Sequence, residues 1–312
     1  MTRIIHFRNI ARVPRYLADA QRRLGHTSDV FSFHVNPYDV GADIQLDIEK
    51  AEYMPHKSVK VMREFWKIAK KYDIIHFHIS SVMLEGIDIP LWKLIGKRTF
   101  IHHHGSEIRG KKEKRLYSLY SDGIFVVTPD LLKWSPSAIW IPNPIDTNYF
   151  EYIGVKEKKN EPIIIVHAPT NRAEKGTEHI LKTIEDLNEN GFNINFKLVE
   201  KMPYFEAIKI YKNADIIIDQ VKSSIGCYGM LSIECMAFGK PVICTINESY
   251  RSKYFHELPI VNCEADTLES KLVSLIQDFS LREELGKRGR QYIMNKHDSN
   301  IVAKMLIDNY HI

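Results

Sequence analysis

No stretch of eighteen consecutive apolar residues occurs in the 312-residue chain, so a membrane-spanning helix is not expected. The first residues, MTRIIHFRNI, enter a strand-like run directly. They hold no long apolar core and no small-residue cleavage site, so a signal peptide is not expected either. Cysteine is scarce: Cys227, Cys235, Cys244 and Cys263, with no C-x-x-C pair. That spacing points to reduced thiols in a cytoplasmic protein rather than a disulfide framework. No recognition motif accompanies the basic segments, so nucleic acid is not an expected partner.

What is present is ordinary globular composition, 44% hydrophobic and 26% charged, at a length that suits two domains. Charge is uneven. Residues 1–150 hold 22 Lys/Arg against 16 Asp/Glu, and residues 151–312 hold 21 against 23. The basic excess gathers at Arg12, Arg15, Arg22 and Arg23 and in Arg109–Arg115 (RGKKEKR). An anionic partner, such as a phospholipid surface or a phosphorylated acceptor, and a plain solvated face both fit this. The Ser58–Lys71 pattern is an amphipathic helix with Val59, Met62, Phe65, Trp66 and Ala69 apolar beside Lys60, Arg63, Lys67, Lys70 and Lys71. Packing on a sheet is favoured for it over lying on an anionic membrane.

Strand-like and helix-like segments alternate throughout. Strands are expected at Arg3–Arg8, Ser28–Phe33, Asp73–His78, Arg98–His103 and Gly123–Thr128. A turn cluster, Ile141–Phe150 (IPNPIDTNYF), interrupts the alternation. It restarts with strands at Pro162–His167, Ile194–Val199, Ala214–Asp219 and Pro241–Thr245, and the last sixty residues read as mostly helical. Such alternation implies parallel strands with crossover helices, and a ligand at the carboxyl ends of the strands.

Asp219–Val242 (DQVKSSIGCYGMLSIECMAFGKPV) is the most informative stretch. An apolar strand runs into a loop with Gly226 and Gly229, then a helix that Gly239-Lys240-Pro241 stops. Bare backbone N–H groups and a positive helix end together suit a phosphate. Glu234 falls about one turn into the helix, where a carboxylate can accept hydrogen bonds from a ribose diol. A nucleotide diphosphate fits without a metal; a structural glycine turn fits the loop as well. Two histidine pairs, His76/His78 and His102/His104, each share one strand face. They suit zinc ligation or a polar lining, and no metal is expected, because no nearby acidic or cysteine residue completes a recognisable set.

Several segments in order resemble GT-B-fold retaining glycosyltransferases of the family-four type. They are RRLGHTSDV at Arg22–Val30, DIIHFH, FIHHHGSEIR, IPNPIDTNYF, HAPTNRAEKGTEHI at His167–Ile180, KNADIIIDQ with GMLSIECMAFGKPVI, and REELGKRGRQYI. The resemblance implies an α/β, GT-B fold: two Rossmann-like βα domains facing across a cleft. Residues 1–145 would be the acceptor side and 146–297 the nucleotide-sugar side, with 298–312 packing back towards the first domain. It implies retaining transfer of a sugar, from a UDP-sugar by family habit, to a glycan or lipid-linked acceptor. No cofactor beyond that donor substrate is implied, and no DxD metal motif is needed or present. The reaction would build a cell-surface or secreted glycan from the cytoplasmic side, peripheral to the membrane.

Carried over residue by residue, Glu234 matches the ribose-binding glutamate and Lys175 the diphosphate lysine. His104 matches the histidine near the transferred sugar, and Gly229 and Met230 the backbone donors at the helix start. Gly226 and Thr170 stand where the family usually has a sugar-binding glutamate and a diphosphate arginine; the nearest arginine is Arg172. Pro144 follows Asn143 in place of a glycine, and Arg8–Arg12 lacks the usual paired glycines. In the implied front-face mechanism the leaving phosphate oxygen takes the acceptor proton, so no side-chain nucleophile is required. These departures motivate an alternative, a catalytically silent GT-B subunit that binds a partner enzyme or glycan. A GT-B epimerase is a third reading, disfavoured because it needs several acid/base carboxylates around the sugar.

Overall fold

The computed structural model describes all residues except 33–41, 46–53, 159, 223, 224 and 312, and the side chains of 54–62 and 84 are likewise left aside. Phe33, Val59, Lys60 and Met62 from the sequence reading therefore lie outside the described side chains. Two compact units divide the chain, Met1–Pro144 with Ser299–Ile312, and Ile145–Asp298. Among the described residues no helix is long and apolar enough to cross a membrane.

Among the described residues the first unit holds seven parallel strands: β1 (Arg3–Phe7), β2 (Thr27–Ser32), β3 (Ile44–Gln45), β4 (Ile74–His78), β5 (Arg98–His103), β6 (Gly123–Val126) and β7 (Ile139–Trp140). Their order is β3-β2-β1-β4-β5-β6-β7, so the chain reverses its direction of travel across the sheet between β1 and β4. One face carries Ile5, Phe7, Phe31, Ile75, Phe77 and Ile101, packed with Trp92 and Tyr117. The helix Met54–Lys71 adds Ile68 and Ala69 to that core and Tyr72 follows it there, and the Phe65 ring lies tilted against Trp92 with centroids 3.9 Å apart. Trp66, placed on the apolar face by the sequence reading, is 52% exposed. One residue is about 100° of helix, enough to swing it off the stripe that Phe65, Ile68, Ala69 and Tyr72 define. The helix Ser299–Asn309 packs on the helix Val13–Arg23, and Arg23 donates to Asn300 Oδ1 and Ser299 Oγ at 2.8 and 2.9 Å.

Among the described residues the second unit holds five parallel strands: β8 (Ile163–His167), β9 (Ile194–Leu198), β10 (Ile216–Gln220), β11 (Val242–Cys244) and β12 (Val261–Asn262). Their order, β12-β11-β10-β8-β9, reverses between β8 and β10. Ile165, Ile216, Ile218 and Ile243 form its core with Ile180, Ile184, Leu268 and Leu272 from the covering helices.

The helix Met230–Ala237 ends in a left-handed turn at Gly239, whose φ is 79°. Behind it lies the helix Phe279–Lys296, where two glycines let the backbones approach. A Cβ on Gly289 would sit 3.2 Å from Met236 Cγ, and one on Gly286 would sit 2.1 Å from the Gly239 carbonyl oxygen. The second contact is with backbone and cannot relax by rotamer change. Gly286→Ala is therefore expected to destabilise the second unit by about 3 kcal/mol. Urea denaturation followed by circular dichroism checks this, and an unchanged midpoint would contradict the close approach.

Candidate active site

In an open parallel sheet, two helices leave in opposite directions at the point where strand order reverses. The crevice there, at the carboxyl ends of the strands, is the natural ligand position. In the second unit that point lies between β8 and β10. β10 ends in Asp219 and Gln220, both buried. The Asp219 carboxylate accepts from Lys175 Nζ at 2.7 Å, from Ser232 Oγ at 2.6 Å and from the Gly229 N–H at 3.2 Å. Lys175 also donates to Gln220 Oε1 at 3.0 Å. Burial works against the Asp219 charge, but the Lys175 ammonium and the three donors outweigh it and hold the carboxyl below its ordinary range.

Local sequence explains how Lys175 reaches this place. Asn171 caps the one-turn helix Arg172–Lys175 by accepting from the Ala173 and Glu174 N–H groups at 3.0 and 3.3 Å. Gly176 then turns left-handed at φ 73°, with its Cα so near Val221 that a Cβ would come within 2.7 Å of Cγ2. The Val221 N–H donates to the Lys175 carbonyl at 3.1 Å and ties the turn to the strand end.

The structure thus brings Lys175, Gly229 and the start of the Met230–Ala237 helix together on Asp219. Glu234 lies one turn further along that helix, buried, and accepts from the Tyr204 hydroxyl at 2.6 Å. Arg172 is not on the Asp219 cluster. It is about half exposed, and its guanidinium forks onto Glu200 at 2.9 and 2.6 Å. Thr170 is exposed on the turn before the cap. Gly226 is a buried turn residue at φ 68°; its carbonyl accepts from the Asn247 N–H at 2.9 Å, and a Cβ would lie 2.7 Å from Asn247 Cβ. A side chain cannot occupy position 226 in this backbone. The sequence reading missed Asp219, Ser232 and Tyr204. The signal for Asp219 was available: a carboxylate closing an apolar strand run.

In the first unit the reversal lies between β1 and β4, and there the structure collects histidines. His6 is registered beside His76, and His78 beside His102. His6, His76, His78 and His102 are fully buried, so they form an inner cluster rather than the open polar lining the sequence suggested. His104, partly exposed, closes the group, with its Nε2 2.9 Å from His78 Nδ1. His6 was missed, because a lone histidine shows no pattern until strand pairing sets it beside His76.

A directed chain of hydrogen bonds runs through the cluster. Gln21 Oε1, already accepting from Ser28 Oγ at 2.7 Å, accepts from His6 Nε2 at 2.9 Å. His6 Nδ1 is then bare and accepts from His78 Nε2 at 3.0 Å. His78 Nδ1 is in turn bare and accepts from His104 Nε2. The three rings are neutral Nε2–H tautomers, which leaves His104 Nδ1 an acceptor. Burial, the largest cause, pushes His6 and His104 down to about 4, and His76, His78 and His102 well below their ordinary value. His103, on the opposite sheet face, behaves inversely. Burial opposes its charge, but Glu107 and Glu113 raise it to about 9, with Nε2 2.9 Å from Glu113.

Much of the basic excess is used internally. Arg15 pairs with Asp19 and Asp43, Arg22 with Asp19, Asp29 and Asp43, and Arg109 with Asp130.

No protein-family model matches the sequence, and no curated protein matches it. Solved structures do. A glycosyltransferase from Rickettsia africae covers 99% of this chain and is covered over 97% of its own, at 15% identity and a TM-score of 0.67. Anabaena HepE, solved with UDP and glucose, matches over 100% of both chains at 10% identity and a TM-score of 0.67. The fold is GT-B. The UDP-GlcNAc 2-epimerase of Neisseria meningitidis, solved with UDP-GlcNAc, also matches, over 98% of both chains at 15% identity and a TM-score of 0.55. At these identities the likeness carries the fold and leaves activity to the residues.

The buried neutral histidines set a pH dependence. His6 and His104 are depressed from 6.5 to about 4, so their contribution to stability is whole above pH 6.5 and is lost as pH falls towards 4. With a chelator present, stability is expected to fall between pH 6.5 and 5, by on the order of 2 kcal/mol per histidine at pH 5. Most carboxylates remain ionised in that window. A urea midpoint that stays level over it would contradict the neutral cluster.

Proposed function

We propose that the protein is a glycosyltransferase that takes a nucleotide-sugar, of the UDP class, as donor and a glycan or lipid-linked molecule as acceptor. The observation that supports it is the convergence of Lys175, the Gly229 N–H and the helix start on Asp219 at the switch point of the second unit. Asp219 holds the Lys175 ammonium at the turn where a diphosphate meets the N–H groups of residues 229 and 230, the Gly229 N–H exchanging Asp219 for it. The diphosphate then displaces Lys175 from part of its contact with Asp219. Glu234, held by Tyr204, takes the ribose hydroxyls. Neutralising the departing diphosphate is the main catalytic task, supplied by Lys175 and the helix dipole, with no metal at the phosphates. Transfer proceeds with retention, the leaving phosphate oxygen taking the acceptor proton. His104 hydrogen-bonds a sugar hydroxyl through Nδ1. Arg172 joins the diphosphate by exchanging Glu200 for it, and Thr170 borders the same turn. The enzyme works at the cytoplasmic face of a membrane, on a glycan destined for the cell surface or for secretion.

Two features favour a second reading, a silent subunit that binds a partner enzyme or glycan: position 226 admits no side chain, and Arg172 is occupied by Glu200. Sugar transfer by the purified chain from any UDP-, GDP-, ADP- or CMP-sugar separates the two, since transfer sinks the silent-subunit reading.

Binding is tested first. UDP or a UDP-sugar is expected to raise the melting temperature of the wild type by mass action. Glu234→Ala should weaken nucleotide binding about tenfold and Lys175→Gln by more, the loss of hydrogen bonds to charged groups. Calorimetric titration reads both, and an unchanged affinity in Glu234→Ala would remove that residue from the ribose site.

A further inference from the structure

We propose that His78, His102 and His104 form a three-imidazole site for a borderline-soft divalent ion such as zinc, at the carboxyl edge of the first sheet. The inference shares His104 with the sugar contact proposed above, where a bound ion leaves Nδ1 protonated and donating to the hydroxyl, and is otherwise independent of the nucleotide site. One nitrogen from each ring lies within 4.8 Å of the others. A tetrahedral ion with bonds of about 2.1 Å needs its ligands about 3.4 Å apart, which lies between the 2.9 Å of His78 Nδ1 to His104 Nε2 and the 4.8 Å limit of the group. His102 supplies the second observation. It is fully buried, and neither of its ring nitrogens has a hydrogen-bond partner among the described residues. A buried polar atom left unpaired is costly, and an ion at this place gives a partner to one of the two His102 nitrogens.

The surroundings suit a metal. His78 directs its Nε2–H at His6 Nδ1, and His6 is fixed by Gln21, so a relay outside the site orients His78 with Nδ1 bare towards His104. His76 stacks on His78 with ring centroids 4.5 Å apart at 5°. The ion takes the place of the proton between His78 and His104. That proton leaves His104 Nε2 while Nδ1 takes one up, so three neutral imidazoles remain and no net proton is released. Burial already keeps these rings neutral, the form a metal needs. A second triad, His6, His76 and His78, shares His78 and leaves His76 Nε2 without a partner among the described residues, but all three of its rings are fully buried. The chosen triad includes partly exposed His104, which gives an ion a way in.

The full chain, stripped with chelator and reloaded separately with Zn²⁺ and Co²⁺, tests this. One ion per chain should survive desalting, and the Co²⁺ form should show the intense visible bands of a four-coordinate site. His102→Phe and His104→Asn should lose the ion, and His76→Phe should keep it. A folded wild type that retains no ion, or an octahedral cobalt spectrum, would overturn the proposal. So would loss in His76→Phe with retention in His102→Phe, which places the ion on the other triad. If His102→Phe does not fold, His104→Asn at the partly exposed position decides. None of these readouts requires sugar transfer.

Discussion

Parallel strand pairing is the constraint from which the rest follows. Parallel neighbours cannot be joined by a tight turn, so every connection crosses a face of the sheet and every strand ends at the same edge. Where strand order reverses, the connections part and leave a crevice. The structure has two such places, between β1 and β4 and between β8 and β10, and both concentrate polar side chains that the apolar strands carry to their carboxyl ends.

The two places solve the burial of polar groups in opposite ways. At the second, a carboxylate stays ionised inside the protein because a lysine, a hydroxyl and a backbone N–H surround Asp219. At the first, burial outweighs the pull of Asp43 on His6 and of Glu107 on His104 and strips the rings of charge, and one chain of hydrogen bonds from His104 to Gln21 shares out the protons of three of them. The contrast between His102 and His103 is the period-two geometry of a strand at work. Consecutive residues face opposite sides of the sheet, one among neutral rings and the other between Glu107 and Glu113.

Glycine marks where backbone does what side chains cannot. Gly176 and Gly226 take left-handed turns against Val221 and Asn247, and Gly286 lets one helix touch the chain behind another. Position 226 shows what this means for chemistry. Its identity follows from the turn it makes, and the same turn removes a carboxylate from the neighbourhood of the donor site proposed here.

The alternation of apolar strands with amphipathic helices, visible in the chain itself, determined the α/β class, the parallel sheets and most element positions, because periodicity is a local property. The order strand, glycine loop, helix also marked Gly229 and Glu234 as candidates, while Lys175 came from the family resemblance. What only the tertiary structure decided is which distant residues meet. The pairing of β1 with β4 brought His6 to His76, the end of β10 brought Asp219 to Lys175, and a salt bridge to Glu200 drew Arg172 aside. Trp66 turned outward for the same reason. Local pattern fixes the direction of a side chain only to within a helical step or a strand face, and the neighbour that fills that direction comes from elsewhere in the chain.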